Sequence, residues 1–430
     1  MEKKKDQKVF SKQLKIQTFI IGIIFSADMI FGFAEQNFLN TYLIHVLGLT
    51  ELHVAIMVSL SALMGLIFLL VWGIISDNTR LKYGRRKPFL LFGGIISGIA
   101  MILYAFSTNY YTALFLDVVI IGIFSNAYFA AERALIPDTI EPELRGRANG
   151  IIQSFANLGI LVAVAIFLLS YELFAIDNPK GSGTILTQQG HLFVLGIGGV
   201  GFAVCGVIGF IFIKEKSTAD LPPKKKFFAE LKEIVDIEEF RKQKEFYKIT
   251  LAYLIFQTGI GCILPFLFIY LFALGLTTLE LLMAIGIGFP VLIIVTIYLG
   301  KIADKHGRKK YVPTIIIIIS IAVFLTVFVR TNAGVNLLLF FILLPFTLIA
   351  LLGIRAILDT WSQDLLPADK RGKFFGILNI VFTVSQIVGA LAAGFVAIVF
   401  GLDWIFPLGT LFFLISIIFF LRVKETLIVE

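Results

Sequence analysis

Apolar residues run along this chain in long blocks, not in the short alternations of soluble helices and strands. Blocks lie near 17–44, 53–75, 88–107, 110–135, 148–171, 191–213, 249–274, 280–302, 312–329, 335–356, 375–400 and 404–421. Each is long enough, and poor enough in charge, to cross a bilayer as a helix, which takes about 20 residues. Together they consume most of the 430 residues, so no separate soluble domain fits. The longest polar segment is 214–248. It opens with Pro222, Pro223 and Lys224 to Lys226; then Phe227, Leu231, Ile234, Val235 and Phe240 recur at about helical spacing against Glu230, Glu233, Asp236 and Glu239. That pattern predicts a linker helix lying in the membrane interface between two bundles. The expected organisation is a six-helix bundle over 1–213, the linker over 214–248 and a second bundle over 249–430.

Composition agrees with an all-α membrane protein. The chain is 58% hydrophobic and 15% charged, with a mean hydropathy of +0.93. A soluble domain is about half apolar and about a quarter charged. The net charge of +8 invites a nucleic-acid reading, but its placement excludes one. With both termini in the cytoplasm, the inner segments hold Lys3, Lys4, Lys5, Lys8, Lys12 and Lys15, the 76–87 loop, Arg145 and Arg147, 214–248, the 301–310 loop, Lys370 to Lys373, Arg422 and Lys424. The outer loops hold only Lys180 and Arg330, as the positive-inside bias requires. A multi-pass monomer of the plasma membrane is expected, with anionic lipid headgroups as the one acidic surface it needs, worth about 1 kcal/mol per nearby Lys or Arg. The basic, then apolar, start is too long for a secretory signal and carries two carboxylates, so it reads as a retained first span. Cys205 and Cys262 both lie inside spans, and His45, His53, His191 and His306 lack metal-ligand spacing. The glycines of Gly196-Ile-Gly198-Gly199-Val-Gly201 fall within a span with no preceding strand, which speaks for helix packing and not a dinucleotide loop. No phosphate-binding loop is present, so ATP does not drive the protein, and no cofactor is expected.

The two halves repeat. Gly73 and Asp77 end the second span, and Gly300 and Asp304 end the eighth, 227 residues later. Arg145, Gly146 and Gly150 lie between spans four and five; Arg371, Gly372 and Gly376 lie between ten and eleven, 226 residues later. Parallel six-span repeats are a transporter architecture with the substrate site between them near the midplane. The loop after span two reads Gly73-Ile-Ile-Ser-Asp77-Asn-Thr-Arg80-Leu-Lys82-Tyr-Gly84-Arg85-Arg86-Lys87-Pro88, and its counterpart reads Gly300-Lys-Ile-Ala-Asp304-Lys-His-Gly307-Arg308-Lys309-Lys310. The first glycine suits close helix approach, the aspartate suits a neighbouring helix N-terminus, and the second glycine suits a tight turn. Both copies resemble the major facilitator signature, Gly-x-x-x-Asp-(Arg/Lys)-x-Gly-Arg-(Arg/Lys). The resemblance implies the major facilitator fold, twelve helices in two pseudo-symmetric bundles, with these motifs latching the outward-facing state. The longer first copy, together with Ala134-Leu-Ile-Pro137-Asp138, Arg145-Gly-Arg-Ala-Asn149-Gly150, Phe31-Gly-Phe-Ala-Glu35 and Tyr42-Leu…Leu47-Gly-Leu, resembles the glycoside–pentoside–hexuronide and sucrose–cation symporter branch. Melibiose-type members carry a carboxylate pair in span two for their cation, whereas 54–75 holds no acidic residue here. That departure points to protons over sodium.

Ionisable groups inside a bilayer cost several kcal/mol unless paired or hydrated, so by default they mark function. Span one carries Asp28 and, seven residues on, Glu35, on one face and about 10 Å apart. Span four carries Asp117. These three carboxyls are the candidates for cation coupling, Asp117 first because the sucrose-symporter branch resembles it in having an acid in span four. Gln36, Asn40, Asn126, Gln153, Asn157, Gln257, Asn379 and Gln386 are candidates for hydrogen-bonding a sugar-like substrate, alongside Asn37, Ser154, Thr383 and Ser385. A gating group comprises Gly73, Asp77, Gly84, Arg85, Arg86, Arg133, Asp138, Arg145, Gly300, Asp304, Gly307, Arg308, Arg355 and Arg371. At the same depth Glu132, Arg133 and Arg355 are expected to trade ion pairs with Asp77, Asp138, Asp304 and Asp359. The expected function is alternating-access transport of a small molecule, as proton-coupled symport of a sugar or glycoside. A drug, metabolite or lysolipid transporter of the same fold is the alternative. A membrane-embedded enzyme would need clustered catalytic residues near one interface, and the sequence offers none.

Overall fold

The computed structural model describes residues 11–215, 243–331, 334–366 and 371–426. The 214–248 linker helix falls almost entirely outside them, as do the N-terminal lysines Lys3 to Lys8 and Lys370; the side chains of Asp304 and Arg371 are also outside the description. Among the described residues, twelve helices are long and apolar enough to cross a membrane. In order, spans 1 to 6 are Lys12–His45, Glu51–Asn78, Lys87–Tyr104, Tyr110–Thr139, Pro142–Phe174 and Gln188–Phe212. Spans 7 to 12 are Lys244–Leu274, Thr278–Ala303, Arg308–Phe328, Leu337–Asp364, Ile377–Phe400 and Leu402–Phe420.

Several helices outrun the apolar blocks that predict them. Span 10 continues to Asp364 because its last turns are amphipathic. Trp361 is fully buried there and donates its indole N–H to the Lys424 carbonyl at 3.2 Å, while Arg355 and Gln363 face out. Hydropathy averages that face away, but packing keeps the backbone helical. Spans 4 and 10 each contain a π-helical segment, Phe115–Ile121 and Ile349–Gly353, which no sequence pattern announces.

The chain forms two compact units. The first comprises residues through Tyr42, then Met64–Phe174 and Leu186–Leu231. Its tightest crossing joins spans 3 and 6, where a Cβ on Gly199 would sit 2.5 Å from the Gly98 carbonyl oxygen. Only glycine allows two backbones this close, and the resulting helix contact replaces a hydrophobic drive that lipid cannot supply. The second unit comprises Leu43–Leu63, Ala175–Ile185 and residues from Lys232 onward. Within it Phe256 on span 7 stacks on Phe413 on span 12 at 4.7 Å, and Ser385 on span 11 donates to the Leu254 carbonyl on span 7. At the end opposite the motif loops, Ala175–Asp177 pairs with Thr184–Leu186, and Arg330–Thr331 pairs antiparallel with Gly334–Val335. Thr184 there donates to the Phe272 carbonyl, and Arg330 donates to Ser182 at 3.0 Å.

Candidate functional site

Span 1 turns Asp28 and Glu35 towards span 4. The carboxyls of Asp28 and Glu132 are neighbours across spans 1 and 4, and the exposed guanidinium of Arg133 acts on both. Two carboxyl groups can hydrogen-bond each other only through a proton held by one of them. Glu132 is 1% exposed, and its Oε1 has no hydrogen-bond partner. Tyr128, fully buried one turn away, and Cys205 on span 6 close the surroundings of that pair. Glu35 is half-buried and feels Asp117 first and Asp28 second. Asp117 is 3% exposed and lies in the π-helical segment, near Tyr104 and Tyr110. Such a widened turn adds a residue to the helix and re-aims side chains, and π segments are frequent at functional sites. In unit 1, then, four carboxyls descend along two facing helices: Asp117, Glu35, Asp28 and Glu132.

Glu132 is a residue whose surroundings the sequence did not show. Its place near the end of span 4 suggested exchange of ion pairs with the motif aspartates, yet it faces span 1. One signal could have found it: counted along a helix, Glu132 shares a face with Tyr128, toward the core, whereas the adjacent Arg133 points about 100° away.

The amide candidates divide into two groups. Gln36, Gln153, Ser154 and Asn157 are exposed, and Gln153 donates to Asn157 at 3.2 Å. An exposed stripe of amides and hydroxyls along a membrane helix must meet water or polar solute, not lipid. In unit 2, Gln386 is exposed and Asn379 is half-buried, both on span 11. Asn40 and Asn126, by contrast, are 3% and 9% exposed and donate to their own helix carbonyls at Gln36 and Gly122. Gln257 is 9% exposed and hydrogen-bonds Tyr253, whose hydroxyl donates to Asp359 at 2.8 Å. Asp359 also faces Arg355 at 3.6 Å, and that guanidinium stacks over Phe382 at 4.8 Å.

The first signature copy is fully knit. Arg86 is 4% exposed and pairs with Asp77 and with Asp138, at 2.9 Å to the latter, while its Nη1 donates to Ser76. Arg85 pairs with Asp138 at 2.5 Å. Gly84 has φ +112° and closes the turn with its N–H on the Leu81 carbonyl. Glu215, just past span 6, accepts the backbone N–H groups of Arg85, Arg86 and Lys87, so a carboxylate sits at the N-terminus of span 3, where the helix dipole favours it. Arg145 donates to the carbonyls of Pro137 and Ile140, closing the end of span 4. In the second copy Gly307 takes φ +92°, Arg308 pairs with Asp364 at 2.6 Å, and Glu425 accepts the N–H of Lys309. Close helix approach at the leading glycines is not found in this conformation: a Cβ on Gly73 or Gly300 would meet nothing within 4 Å.

A family model described as Major Facilitator Superfamily matches residues 18–358 and 288–429. A sucrose transport protein of Arabidopsis thaliana is 26% identical over 49% of this chain, and the alignment spans 39% of that transporter's length. The multi-drug resistance efflux pump PmrA of Streptococcus pneumoniae is 27% identical over 86% of this chain and 87% of its own length. Among solved structures, the nucleoside transporter NupG superposes with a TM-score of 0.70 at 12% identity, covering 95% of this chain and 98% of NupG. A D-xylose–proton symporter superposes at 0.63 and 16% identity, over 96% and 98% of the two chains. At such identities the structural likeness fixes the fold alone.

Proposed function

This chain belongs to the Major Facilitator Superfamily and is a multi-pass integral membrane transporter, and from that premise we propose that it couples solute movement to protons through the carboxyl row on spans 1 and 4. The observation that carries the reading is the buried carboxyl of Glu132, its Oε1 without a hydrogen-bond partner among the described residues, beside Asp28 and Arg133. A proton held there removes a negative charge from the membrane interior. Its release leaves two carboxylates with one guanidinium. The two protonation states therefore differ in how much charge unit 1 must keep hydrated, and a conformational cycle can be biased by that difference. Glu35 and Asp117 extend the row away from the motif end and give a proton further stations. Tyr253, Gln257, Asp359 and Arg355 serve as a charge-neutral counterpart in unit 2.

For the solute, the exposed amides of span 5 and of Gln386 suit a sugar or glycoside, and the sucrose-transport relative supports that class. The motif network of Asp77, Arg85, Arg86 and Asp138 then acts as the latch of the alternating-access cycle. A second reading, proton-driven export of lipophilic drugs, is favoured by one observation: the efflux-pump relative aligns over 86% of this chain.

Uptake of labelled sugars into proteoliposomes, under an imposed pH gradient or a sodium gradient, tests the proposal. Acid-driven accumulation without sodium dependence supports it. Accumulation that follows sodium and ignores pH would overturn proton coupling. Inert sugars together with pH-driven efflux of a lipophilic cation would select the exporter.

A further inference from the structure

At the motif end of unit 1 lies a second feature that the transport reading does not use. A cavity of about 570 Å³ opens between the turn after span 2 and the end of span 6. Lys82, Lys87 and Lys214 line it. Lys82 stands over the Tyr83 ring at 4.9 Å and Lys87 over the Phe210 ring at 5.6 Å. Among the described residues, none of the three ammonium groups has a carboxylate within ion-pair distance. The one carboxylate in the wall, Glu215, is already taken up by three backbone N–H groups. The neighbouring Arg85 and Arg86 are spent on Asp138 and Asp77. A concave surface with three uncommitted cations is left.

The rim is as informative as the lysines. Leu81, Ile211 and Phe212 are 49%, 59% and 54% exposed, and all three line the cavity. Ile211 and Phe212 end an apolar membrane span, so the polar pocket continues directly into a lipid-facing apolar wall. Long lysine stems bury along apolar surface while their heads reach the headgroup layer. A soluble phosphate compound would be served by the cations alone and would leave that wall unused; a phospholipid uses both.

We propose that this cavity binds an anionic phospholipid of the adjoining leaflet, with its phosphate among Lys82, Lys87 and Lys214 and its acyl chains against Ile211 and Phe212. The bound headgroup braces the Leu81–Gly84 turn, and with it the arginines of the first signature copy. Zwitterionic lipids bind less well, since their headgroups carry no net charge to meet the three cations.

The test is the thermal midpoint of the purified chain in a neutral detergent, with added dihexanoyl phosphatidylglycerol, dihexanoyl phosphatidylcholine or glycerol 3-phosphate. Phosphatidylglycerol should raise the midpoint by about 2–4 °C, phosphatidylcholine by less, and glycerol 3-phosphate not at all. The rise should shrink when salt is raised, because exposed charges are screened within about 10 Å at 0.1 M. The variant Lys82→Gln/Lys214→Gln should lose most of the phosphatidylglycerol rise, and Lys301→Gln/Lys305→Gln, equal in charge but on span 8 and its following turn, should keep it. Equal rises with both lipids, equal loss in both variants, or a full rise with glycerol 3-phosphate would overturn the site as one for anionic phospholipid.

Discussion

Spans 1 and 4 in unit 1 and spans 7 and 10 in unit 2 hold matching places in a duplicated chain, yet they carry different chemistry. The first pair holds Asp28, Glu35, Asp117 and Glu132, with Asp138 in the last turn of span 4. After Glu245, span 7 has no acid at all, and span 10 has only Asp359 and Asp364 in its last turns, paired with Arg355 and Arg308. Packing is retained in both halves: Phe31 and Phe202 stack across spans 1 and 6 at 4.0 Å as Phe256 and Phe413 stack across spans 7 and 12 at 4.7 Å. A carboxyl in a membrane costs several kcal/mol unless it is used or neutralised. Duplication preserves what packing demands, and the costly groups persist in one half. In the first signature copy Arg86 bridges two aspartates and Glu215 takes three N–H groups; in the second, Arg308 pairs with Asp364 and Glu425 accepts the N–H groups of Lys309 and Thr426.

The comparison breaks most sharply at the arginines. Arg86→Ala removes a buried guanidinium shared by Asp77, Asp138 and Ser76; Asp138 keeps Arg85, and Asp77, 48% exposed, turns to water, so the lost hydrogen bonds should cost about 1–3 kcal/mol. Arg308→Ala removes the partner of Asp364, which is 35% exposed and can be rescued by water. Thermal unfolding in detergent should therefore drop more for Arg86→Ala; equal drops would mean that the two copies bear equal weight.

Next comes the coupling row. Moving one charge through 100 mV is worth about 2.3 kcal/mol, and tenfold in concentration is about 1.4 kcal/mol. Loss of one coupled proton therefore removes about fifty-fold of accumulation per 100 mV. Asp28→Asn and Glu132→Gln should each abolish gradient-driven accumulation while sparing solute exchange, and Gln257→Leu in the other half should alter apparent affinity more than driving force. Accumulation that survives in both acid variants, but fails in Asp117→Asn, would move the coupling site outward along span 4.

How much of this was legible beforehand depends on which force wrote it. The twelve spans, their repetition and the motif residues were readable because hydropathy and charge bias act residue by residue, without knowledge of neighbours. Asp28 and Glu35 were readable for the same reason, as acids in apolar surroundings. Glu132 was not, because its role depends on which face of span 4 meets span 1, and a residue next to Arg133 looks like one more rim charge. The π-helical turn that holds Asp117 leaves no pattern in composition. Glu215 was invisible too: it lies 128 to 130 residues from the amides it caps, and only the fold brings them together. Asn40 and Asn126 look like solute ligands in the sequence and turn inward in the structure, since an amide bonded to its own helix can be buried at little cost.

A smaller effect separates two kinds of glycine. Gly98→Ala pushes a methyl onto the Gly199 carbonyl, and overpacking of this kind costs about 1–3 kcal/mol. Gly73→Ala meets open space in this conformation and should leave the midpoint unchanged. If Gly73 serves close approach in another state of the cycle, the same change should slow transport without lowering stability. Paired measurements of unfolding and initial transport rate distinguish the two: loss of both at Gly73 would place it in the static packing.

The smallest expected difference is the most discriminating for the motif end. Glu215→Gln keeps an acceptor but removes a charge from the start of span 3, which by the helix dipole costs about 0.3–1 kcal/mol. Glu425→Gln, the matching change at the start of span 9, should cost a similar amount. The same Glu215 change also removes the only carboxylate from the wall of the lysine cavity, so the stabilisation gained from phosphatidylglycerol should rise in that variant even as its midpoint without lipid falls. A helix cap that did nothing more would lower the midpoint and leave the lipid response as it was. Opposite movement of the two readings in Glu215→Gln, absent in Glu425→Gln, would tie the first signature copy to the lipid beside it and mark a further way in which the two halves have parted.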